Sequence, residues 1–339
     1  MVASAPRRPG LVSVVVPAYN AERGLKRCLD SVLSQTYLER EVIVVNDGSI
    51  DSTGEIARGF GDRFELVLQP HRGECAARNE GFRRAAGQYI SFVDHDDYWE
   101  PGFLETCVRF LEMHPEAAGV STGSDHRSAL SSKVRYMPPF LESSSSAAED
   151  VVLENFFEFW ARHNHICAGS VVFRRSVFED AGGQREDLAV SGDLEYWAYL
   201  ATFGRWAFIP RVLLHVDGTQ SAGPGLYEKF YQRYRRCTSV ADWERRITPR
   251  LRQEDRPGFE TVRGRVATWY VFAKLFVGRD REAYLEAVAY RDRLEGRYGK
   301  LWRAGLIGGA ASWKVMAVLL RARVRGQYRR ASGRGGSGR

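Results

Sequence analysis

The chain has 339 residues, of which 44% are hydrophobic and 27% charged, a composition typical of a globular protein rather than a disordered or fibrous one. Its formal net charge of +7 is concentrated at the end, where residues 321–339 contain seven arginines and no acidic residue. Such a basic segment indicates an anionic neighbour, either membrane lipid or nucleic acid.

The cysteines occur singly and without a CxxC pair, which argues against a zinc site and favours a reducing compartment. They are Cys28, Cys75, Cys107, Cys167 and Cys237. The first apolar run, residues 11–16, is too short for the core of a signal peptide. We therefore expect a cytoplasmic protein.

Residues 11–93 alternate between predicted strands, which are runs of β-branched and aromatic residues, and predicted helices with apolar residues at helical spacing. The strands are expected at 11–16, 41–45, 64–68 and 90–93, and the helices at 25–33, around 56–57 and at 73–86. This order predicts βαβ units and a mainly parallel sheet.

Polar residues follow three of these strands, at the edge where an open α/β sheet binds its ligands. The segments are 17–20, 46–49 and 94–97. The chain has no GxGxxG sequence after the first strand and no GxxxxGK[ST] sequence, so a dinucleotide-binding Rossmann site and a P-loop are not supported.

Carboxylates in two of these segments suggest a metal and a nucleotide base as ligands. Asp94 and Asp96 can both face one hard cation, and carboxylate oxygens suit Mg²⁺ or Mn²⁺. The alternative is a solvated turn in which Asp97 caps a helix that begins near Pro101. Asp47, followed by glycine, is consistent with a simple turn. Its place at the same edge favours a carboxylate that accepts the N–H of a uracil ring.

Four segments together resemble the family 2 glycosyltransferases of the GT-A fold, in the right order over roughly residues 10–220. They are VVPAYN at 15–20, VVNDGSID at 44–51, GECAARNEG at 73–81 and FVDHDD at 92–97. The resemblance implies a Rossmann-like, mainly parallel sheet flanked by helices. It also implies an inverting transfer from a nucleotide-diphosphate sugar, with a UDP-sugar favoured, assisted by Mn²⁺ or Mg²⁺.

The same resemblance assigns the site residues of the donor. The nucleotide-binding residues would be Pro17, Ala18, Tyr19, Glu22, Asp47, Gly48, Arg78, Asp94 and His95. Asp47 would face the base, Asp94 the ribose and Asp96 the metal, with Asp94 as a second metal ligand. Arg72 is a further candidate for the nucleotide, and Arg78 either holds the nucleotide or braces the acidic loops.

The acceptor side is predicted from the segment GDLEYW at 192–197, which resembles the family's acceptor-side acid motif with Gly192 in place of a glutamate. Asp193 is the candidate general base, and the alternative is a helix cap. His215 or Asp217 could reach the diphosphate or the metal, and His215 is the candidate metal ligand of the two. A histidine at the end of a strand is, however, more commonly only hydrogen-bonded.

Two later regions contain no candidate catalytic residue. Residues 124–150 contain Pro138, Pro139 and a serine run, which predicts a mobile loop, either a lid over the donor or a solvated excursion. Beyond residue 225 we expect helices at 227–243, 259–277 and 281–298. The apolar segment 306–320 is short for a membrane span and contains Lys314. It predicts either an interfacial helix or an ordinary packed one.

The sequence therefore predicts three parts: a GT-A catalytic domain at 10–222, a helical C-terminal region at 223–320 and a disordered basic tail at 321–339. The expected acceptor is a hydroxyl of a glycan, a lipid-linked molecule or a small molecule. An anionic membrane surface, at the inner face of the cell membrane, is the expected partner of residues 303–339. The competing hypotheses are a sugar nucleotidyltransferase, which needs a glycine-rich basic loop after the first strand, and a non-catalytic nucleotide-binding or nucleic-acid-binding protein.

Overall fold

The computed structural model describes residues 7–128, 131–142, 149–218 and 226–333. The chain divides into two compact units. The first comprises Met1–Glu186 and Tyr196–Gln220, and the second comprises Asp187–Glu195 and Ser221–Arg339. The short segment Asp187–Glu195 thus belongs to the C-terminal unit although the first unit surrounds it in sequence.

The first unit is built on a single sheet, to which ten strands contribute among the described residues. The strands are β1 (Arg8–Ala18), β2 (Arg40–Asp47), β3 (Glu65–Gln69), β4 (Gly87–Phe92), β5 (Tyr98–Trp99), β6 (Ala117–Ser128), β7 (Ser131–Met137), β8 (Val151–Val152), β9 (Val171–Arg174) and β10 (Arg205–Asp217). The main path of the sheet runs β3-β2-β1-β4-β9-β6-β10-β5.

Helices connect these strands. They are α1 (Leu25–Leu33), α2 (Thr53–Arg58), α3 (Glu74–Arg84), α4 (Phe103–Met113), α5 (Phe156–His163), α6 (Arg175–Ala181) and α7 (Gly192–Leu200). Pairing is parallel along β3-β2-β1-β4 and again between β6 and β10, whereas β9 lies antiparallel between β4 and β6. The predicted mainly parallel α/β sheet is confirmed.

The core of this unit follows from the continuous apolar strands. Every residue of β1 from Leu11 to Ala18 is buried, as a central strand covered on both faces requires. Helix α3 packs closely on β1 through Gly81, where a Cβ atom would lie 2.2 Å from Cγ1 of Val15. A glycine is therefore the residue that this helix needs at its contact with the sheet.

The structure corrects the loop predicted at 124–150. β6 continues to Ser128, paired with β10 on one side and with β7 on the other, so 124–128 and 131–137 are strands. Polar side chains are tolerated in these two strands because strand pairing is made by backbone hydrogen bonds. Amino-acid composition does not reveal such pairing. Residues 129–130 and 143–148 of the predicted loop, with its serine run, lie outside the described residues.

The second unit is helical, with α8 (Leu226–Arg235), α9 (Val240–Trp243), α10 (Arg256–Phe276), α11 (Asp280–Ala289), α12 (Gly296–Ile307) and α13 (Gly309–Gly333). α10 is its core, buried at fourteen positions including Phe259, Tyr270 and Phe276. A buried ion pair of Lys274 and Glu286 joins α10 to α11.

Two predictions for this unit are corrected: one helix has a different start, and the tail is not disordered throughout. The helix expected over 306–320 is interrupted after α12, where Gly309 has a φ of +69°, a conformation that glycine adopts readily. The tail expected to be disordered from residue 321 is helical to Gly333. The first part of this segment is packed on its unit, since Arg321 pairs with Asp280, donates to the carbonyl of Leu275 at 3.2 Å, and Val324 is buried. Residues 334–339 lie outside the described residues. Within the described ranges, the helices are all too short or too polar to cross a membrane.

Candidate active site

The parallel strands bring the predicted site segments to one edge of the sheet. β1 pairs with β2 up to Ala18 and Asn46, and with β4 up to Val15 and Phe92. The segments that follow these three strands therefore begin side by side. The carboxyl ends of parallel strands form the usual ligand-binding edge of an α/β sheet.

Hydrogen bonds join the loop after β1 to the loop after β2. The backbone N–H of Asn20 donates to the Ser49 hydroxyl at 3.0 Å, and the N–H of Ile50 donates back to the Asn20 side chain at 3.0 Å. Asn20 has a φ of +47°, a conformation that asparagine tolerates better than most residues. The Ser52 hydroxyl also donates to Glu22 at 2.9 Å. Glu22 is thus engaged in joining the two loops.

Asp51 is the acid that holds this junction. Its carboxylate accepts the N–H of Thr53 at 3.0 Å and the N–H of Glu22 at 3.2 Å. Partial burial works against the charge, but the hydrogen bonds from Thr53 and Glu22 lower the pKa of Asp51 below its ordinary value. Asp51 therefore remains an ionised structural acid. Beside this loop opens a polar cleft of about 330 Å³ lined by Asn46, Gly48, Ser49, Asp51, Glu55 and Gln69, among others.

Asp47 is buried and its carboxylate accepts four hydrogen bonds. Oδ1 accepts from Nε2 of Gln69 at 2.6 Å and from the N–H of Arg72 at 2.8 Å. Oδ2 accepts from the N–H of Gly73 at 2.8 Å and from Nδ1 of His71 at 2.9 Å. Its side chain is only 3% exposed. Asp47 thus fixes the segment between β3 and α3.

Tyr19 is covered by the same segment. The His71 ring stacks on the Tyr19 ring with centroids 3.9 Å apart and planes inclined by 20°. Arg72, the further nucleotide candidate, pairs with Glu186 at 2.7 Å. His71 could not be picked out by the motifs, although a signal was present: it lies just after the end of β3, another strand that ends at this edge.

Asp94 is paired with a buried arginine. NH2 of Arg78, on α3, donates to Oδ1 of Asp94 at 2.6 Å, and the Arg78 side chain is 2% exposed whereas that of Asp94 is 34% exposed. Burial disfavours the charged guanidinium, but the carboxylates of Asp94 and Glu74 raise the pKa of Arg78 above its ordinary value. Of the two roles considered for Arg78, the observed contact is the brace of the acidic loop.

The acidic segment forms a tight turn, in which the N–H of Asp97 donates to the carbonyl of Asp94 at 3.0 Å. His95 and Asp96 lie within the turn with half-buried side chains. The start of α1 contacts this turn closely: a Cβ atom on Gly24 would lie 2.7 Å from the His95 carbonyl oxygen. Burial, followed by the charges of Asp94 and Asp96, raises the pKa of Asp97 well above its ordinary value.

Arg27, on α1, is a second residue that sequence reasoning missed. It donates to the Asp96 carbonyl at 3.2 Å and pairs with Asp217 at 2.8 Å. Its guanidinium also lies over the Tyr98 ring, 4.4 Å from the centroid. Asp217 contributes its backbone as well, since its N–H donates to Oδ1 of Asp97 at 3.3 Å. Arg27 therefore joins the acidic turn to the end of β10.

His215 has both ring nitrogens engaged by carboxylates. Nδ1 lies 2.8 Å from Oδ1 of Asp125, and Nε2 lies 2.7 Å from Oε1 of Glu100. His215 is thus engaged by two carboxylates of its own unit, and its assignment as a metal ligand stays a prediction. Across the described ranges, no group of three or more His, Cys, Asp or Glu side chains is arranged to hold a metal ion. Asp94 and Asp96 stay the two predicted carboxylate ligands of a metal ion.

Asp193 lies in the second unit, in the first turn of α7. It is the second residue of that helix, which leaves the cap position to Ser191. A carboxylate in a first turn is stabilised by the helix dipole. Nearby, Glu195 is completely buried and pairs with Arg246, and the Ser191 carbonyl accepts from Nε1 of Trp243 at 3.1 Å. These contacts hold the Asp193 segment on the helices of its own unit.

The sheet order and the carboxylates at its strand ends define an α/β protein of the GT-A type. The sequence profile described as "Glycosyl transferase family 2" matches residues 13–182, half of the chain. The chain therefore belongs to glycosyl transferase family 2, and the resemblance found in the sequence is confirmed.

Comparison with known proteins agrees with this assignment. Glycosyltransferase GlyA of Streptococcus pneumoniae is 32% identical over 196 residues, which are 56% of this chain and 28% of GlyA. This chain spans half or less of the length of the first curated relatives that it matches.

Two solved structures share the fold. S. aureus TarS with UDP superposes with a TM-score of 0.51 at 16% identity, covering 95% of this chain and 92% of that one. The mannosyltransferase PcManGT of Pyrobaculum calidifontis, solved with GDP-Man and Mn²⁺, gives a TM-score of 0.54 at 20% identity, covering 96% and 89%.

Proposed function

We propose that this protein transfers a sugar from a nucleoside diphosphate sugar, with a UDP-sugar favoured, to a hydroxyl group of a glycan, a lipid-linked molecule or a small molecule, with inversion at the sugar carbon. The observation that carries the proposal is the convergence of Tyr19, Asp47, Asp94 and Asp96 at the ends of neighbouring parallel strands. Membership of glycosyl transferase family 2 supports it. The nucleotides bound by TarS and PcManGT are consistent with it.

The donor would bind along this edge, with its base at Tyr19 and Asp47 and its ribose and diphosphate toward the acidic turn. Pro17, Ala18 and Gly48 would form the backbone wall of the nucleoside pocket. Arg78 would keep the Asp94 carboxylate in place, since its buried guanidinium donates to Oδ1. Arg27 would hold the Asp96 backbone.

Asp96 and Asp94 fit a divalent cation by the chemistry of their oxygen donors, and the Asp94 side chain is one-third exposed at this edge. A bound Mn²⁺ or Mg²⁺ would supply Lewis-acid stabilisation of the negative charge on the leaving diphosphate. His215 is left out of this proposal because Asp125 and Glu100 occupy both of its ring nitrogens.

Asp193 is proposed as the general base. It takes the proton of the acceptor hydroxyl as the acceptor oxygen forms a bond to the anomeric carbon. The bond between that carbon and the diphosphate oxygen breaks, and the nucleoside diphosphate leaves with the electron pair. Attack from the face opposite the leaving group accounts for inversion, and one base is sufficient for this step.

Calorimetric titration with UDP, GDP and dTDP, with and without Mn²⁺, tests the donor site. We expect metal-dependent binding of one nucleotide, weakened in Asp96→Asn. The matched control is Asp30→Asn, an exposed acid of α1 paired with Lys26, which should bind like the unaltered protein. If well-folded protein binds none of the three nucleotides, the proposal is overturned.

The second unit supports a peripheral contact with an anionic membrane at the cytoplasmic face. Val315, Val318 and Leu319 of α13 are 61%, 58% and 65% exposed and follow helical spacing, and Ile307 before them is 79% exposed. The exposed residues Lys314, Arg323 and Arg325 accompany them. An exposed apolar stripe with basic residues is the pattern of a helix that lies in a lipid interface.

Sedimentation with vesicles tests this contact. Binding to vesicles that contain phosphatidylglycerol should exceed binding to pure phosphatidylcholine, and Val318→Gln/Leu319→Gln should reduce it. Leu285→Gln, on α11 and 57% exposed, is the control from the same unit. Equal recovery of all proteins with both vesicles would remove the membrane from the proposal.

A further inference from the structure

The space that a nucleotide base would use is filled by a side chain of the protein itself. The His71 ring lies on the Tyr19 ring with 3.9 Å between centroids. Because this is already contact distance for two aromatic rings, no third ring fits between them. A base that stacks on this face of Tyr19 has to take the place of His71.

The carboxylate assigned to the base is occupied as well. Each Asp47 oxygen accepts two hydrogen bonds, and the side chain is 3% exposed. A base N–H can reach Asp47 only if one of the four donors leaves. Two of these donors are backbone N–H groups, of Arg72 and Gly73, just before α3. They cannot leave unless the backbone of this segment moves.

The His71 imidazole is the donor that can leave. Its side chain is 52% exposed, so it can rotate into solvent, whereas Gln69 is partly buried and its Oε1 atom is enclosed. The backbone of His71 is held in place, because Gly48, with a φ of +73°, approaches it so closely that a Cβ atom would lie 2.7 Å from the His71 nitrogen. The movement is therefore a side-chain rotation and not a loop opening.

From these contacts we propose that His71 imitates the base and plugs the nucleoside pocket: it stacks on Tyr19 and donates Nδ1–H to Asp47 until the base of the donor displaces it. The carboxylate accepts only, so Nδ1 carries the proton in this contact. The inference rests on the proposed function, because it assumes that Tyr19 and Asp47 recognise a base. It adds a residue that sets nucleotide affinity by competition.

The consequence is a lower apparent affinity for the nucleotide. A ligand that binds only the open form has its affinity reduced by the fraction of molecules that are open. Removal of the imidazole should therefore strengthen UDP binding, and only through the base. A ligand without a base, such as inorganic pyrophosphate, should bind equally well with and without His71.

Calorimetry of His71→Ala with UDP and with pyrophosphate, both in the presence of Mn²⁺, tests this. We expect the dissociation constant of UDP to fall about tenfold or more and that of pyrophosphate to stay unchanged. The matched control is His114→Ala, since His114 also stacks on an aromatic ring, Phe110, at 4.3 Å and contacts a carboxylate, Glu116, at 3.1 Å. It should change neither constant.

Weaker or unchanged UDP binding in His71→Ala would overturn the plug while leaving the proposed function intact. Absence of binding of UDP, GDP and dTDP in both the unaltered protein and His71→Ala would overturn the proposed function, and the plug with it. Proton NMR of the histidine rings provides a second readout that needs no functional variant. The His71 ring protons, assigned with His71→Gln, should be shielded by Tyr19 in the free protein and move to a solvent-like position with UDP. Shielding that persists at saturation would also contradict the plug.

Discussion

Replacing Asp94 by asparagine should destabilise the protein, because it leaves the Arg78 guanidinium buried without its charged partner. Arg78 is 1% exposed, and its Nε atom has no hydrogen-bond partner among the described residues. Its contact with Gln184, at 3.4 Å, is long and uncharged. The Asp94 carboxylate is therefore the main compensation for the buried charge.

The magnitude follows from the exposure of the two partners. Removing one partner of a fully buried ion pair costs about 3–5 kcal/mol. Because the Asp94 side chain is 34% exposed, water can partly replace it, and we expect a loss of about 2–3 kcal/mol in the free energy of unfolding. Arg78→Met should cost less through electrostatics, since the carboxylate left behind is partly solvated.

Urea denaturation of Asp94→Asn, Arg78→Met and the double variant forms a cycle that isolates the pair. The double variant buries no unpaired charge, so its loss should be smaller than the sum of the single losses by about 1–2 kcal/mol. The exposed pair Lys26 and Asp30 gives the control cycle, with an expected coupling within about 0.5 kcal/mol. Additive losses at Arg78 and Asp94 would refute the argument that Asp94 compensates the buried guanidinium.

Three further predictions concern packing, pH and chemistry. Gly81→Ala should lower the free energy of unfolding by about 1–3 kcal/mol, because its Cβ would meet Val15 at 2.2 Å; an unchanged urea midpoint would contradict this contact. His165 is enclosed by aromatic rings, and burial lowers its pKa to about 3. Between about pH 3 and about pH 6.5 only the unfolded state binds a proton at this histidine. The free energy of unfolding therefore falls as pH falls, by about 1.4 kcal/mol per pH unit. His165→Phe should flatten that dependence in urea titrations from pH 7 to pH 5, and equal slopes would count against it. Asp193→Asn should reduce transfer about 10²–10⁴-fold with UDP affinity unchanged; full activity would exclude Asp193 as the base.

The parallel half of the fold and the positions of the acids could be predicted because both depend on local patterns. Continuous apolar runs identify buried strands, and Asp47, Asp94 and Asp96 follow such runs directly. The hairpin of β6 and β7 was missed because polar residues such as Asp125 and His126 are held by pairing on both sides, and the partner strand β10 is distant in sequence.

The contacts that position the site could not be predicted, for a related reason. Arg27 reaches Asp96 and Asp217 only because Gly24 allows α1 to approach the acidic turn. His215 is a candidate metal ligand by its sequence position, and the structure adds a contact that the sequence does not show, between its Nδ1 atom and Asp125 on a neighbouring strand. The type of residue can be read from the chain, whereas the choice among its possible partners depends on how closely the elements approach each other.

Helix α3 connects the contacts of Asp47 to those of Asp94. The N–H of Gly73, immediately before this helix, donates to Asp47, and Arg78 five residues later donates to Asp94. Five residues of α-helix span about 7.5 Å, so about one and a half helical turns separate the residue that donates to Asp47 from the residue that donates to Asp94. If Asp47 receives the base and Asp94 the ribose and diphosphate, as proposed, α3 links the contacts at the two ends of the donor.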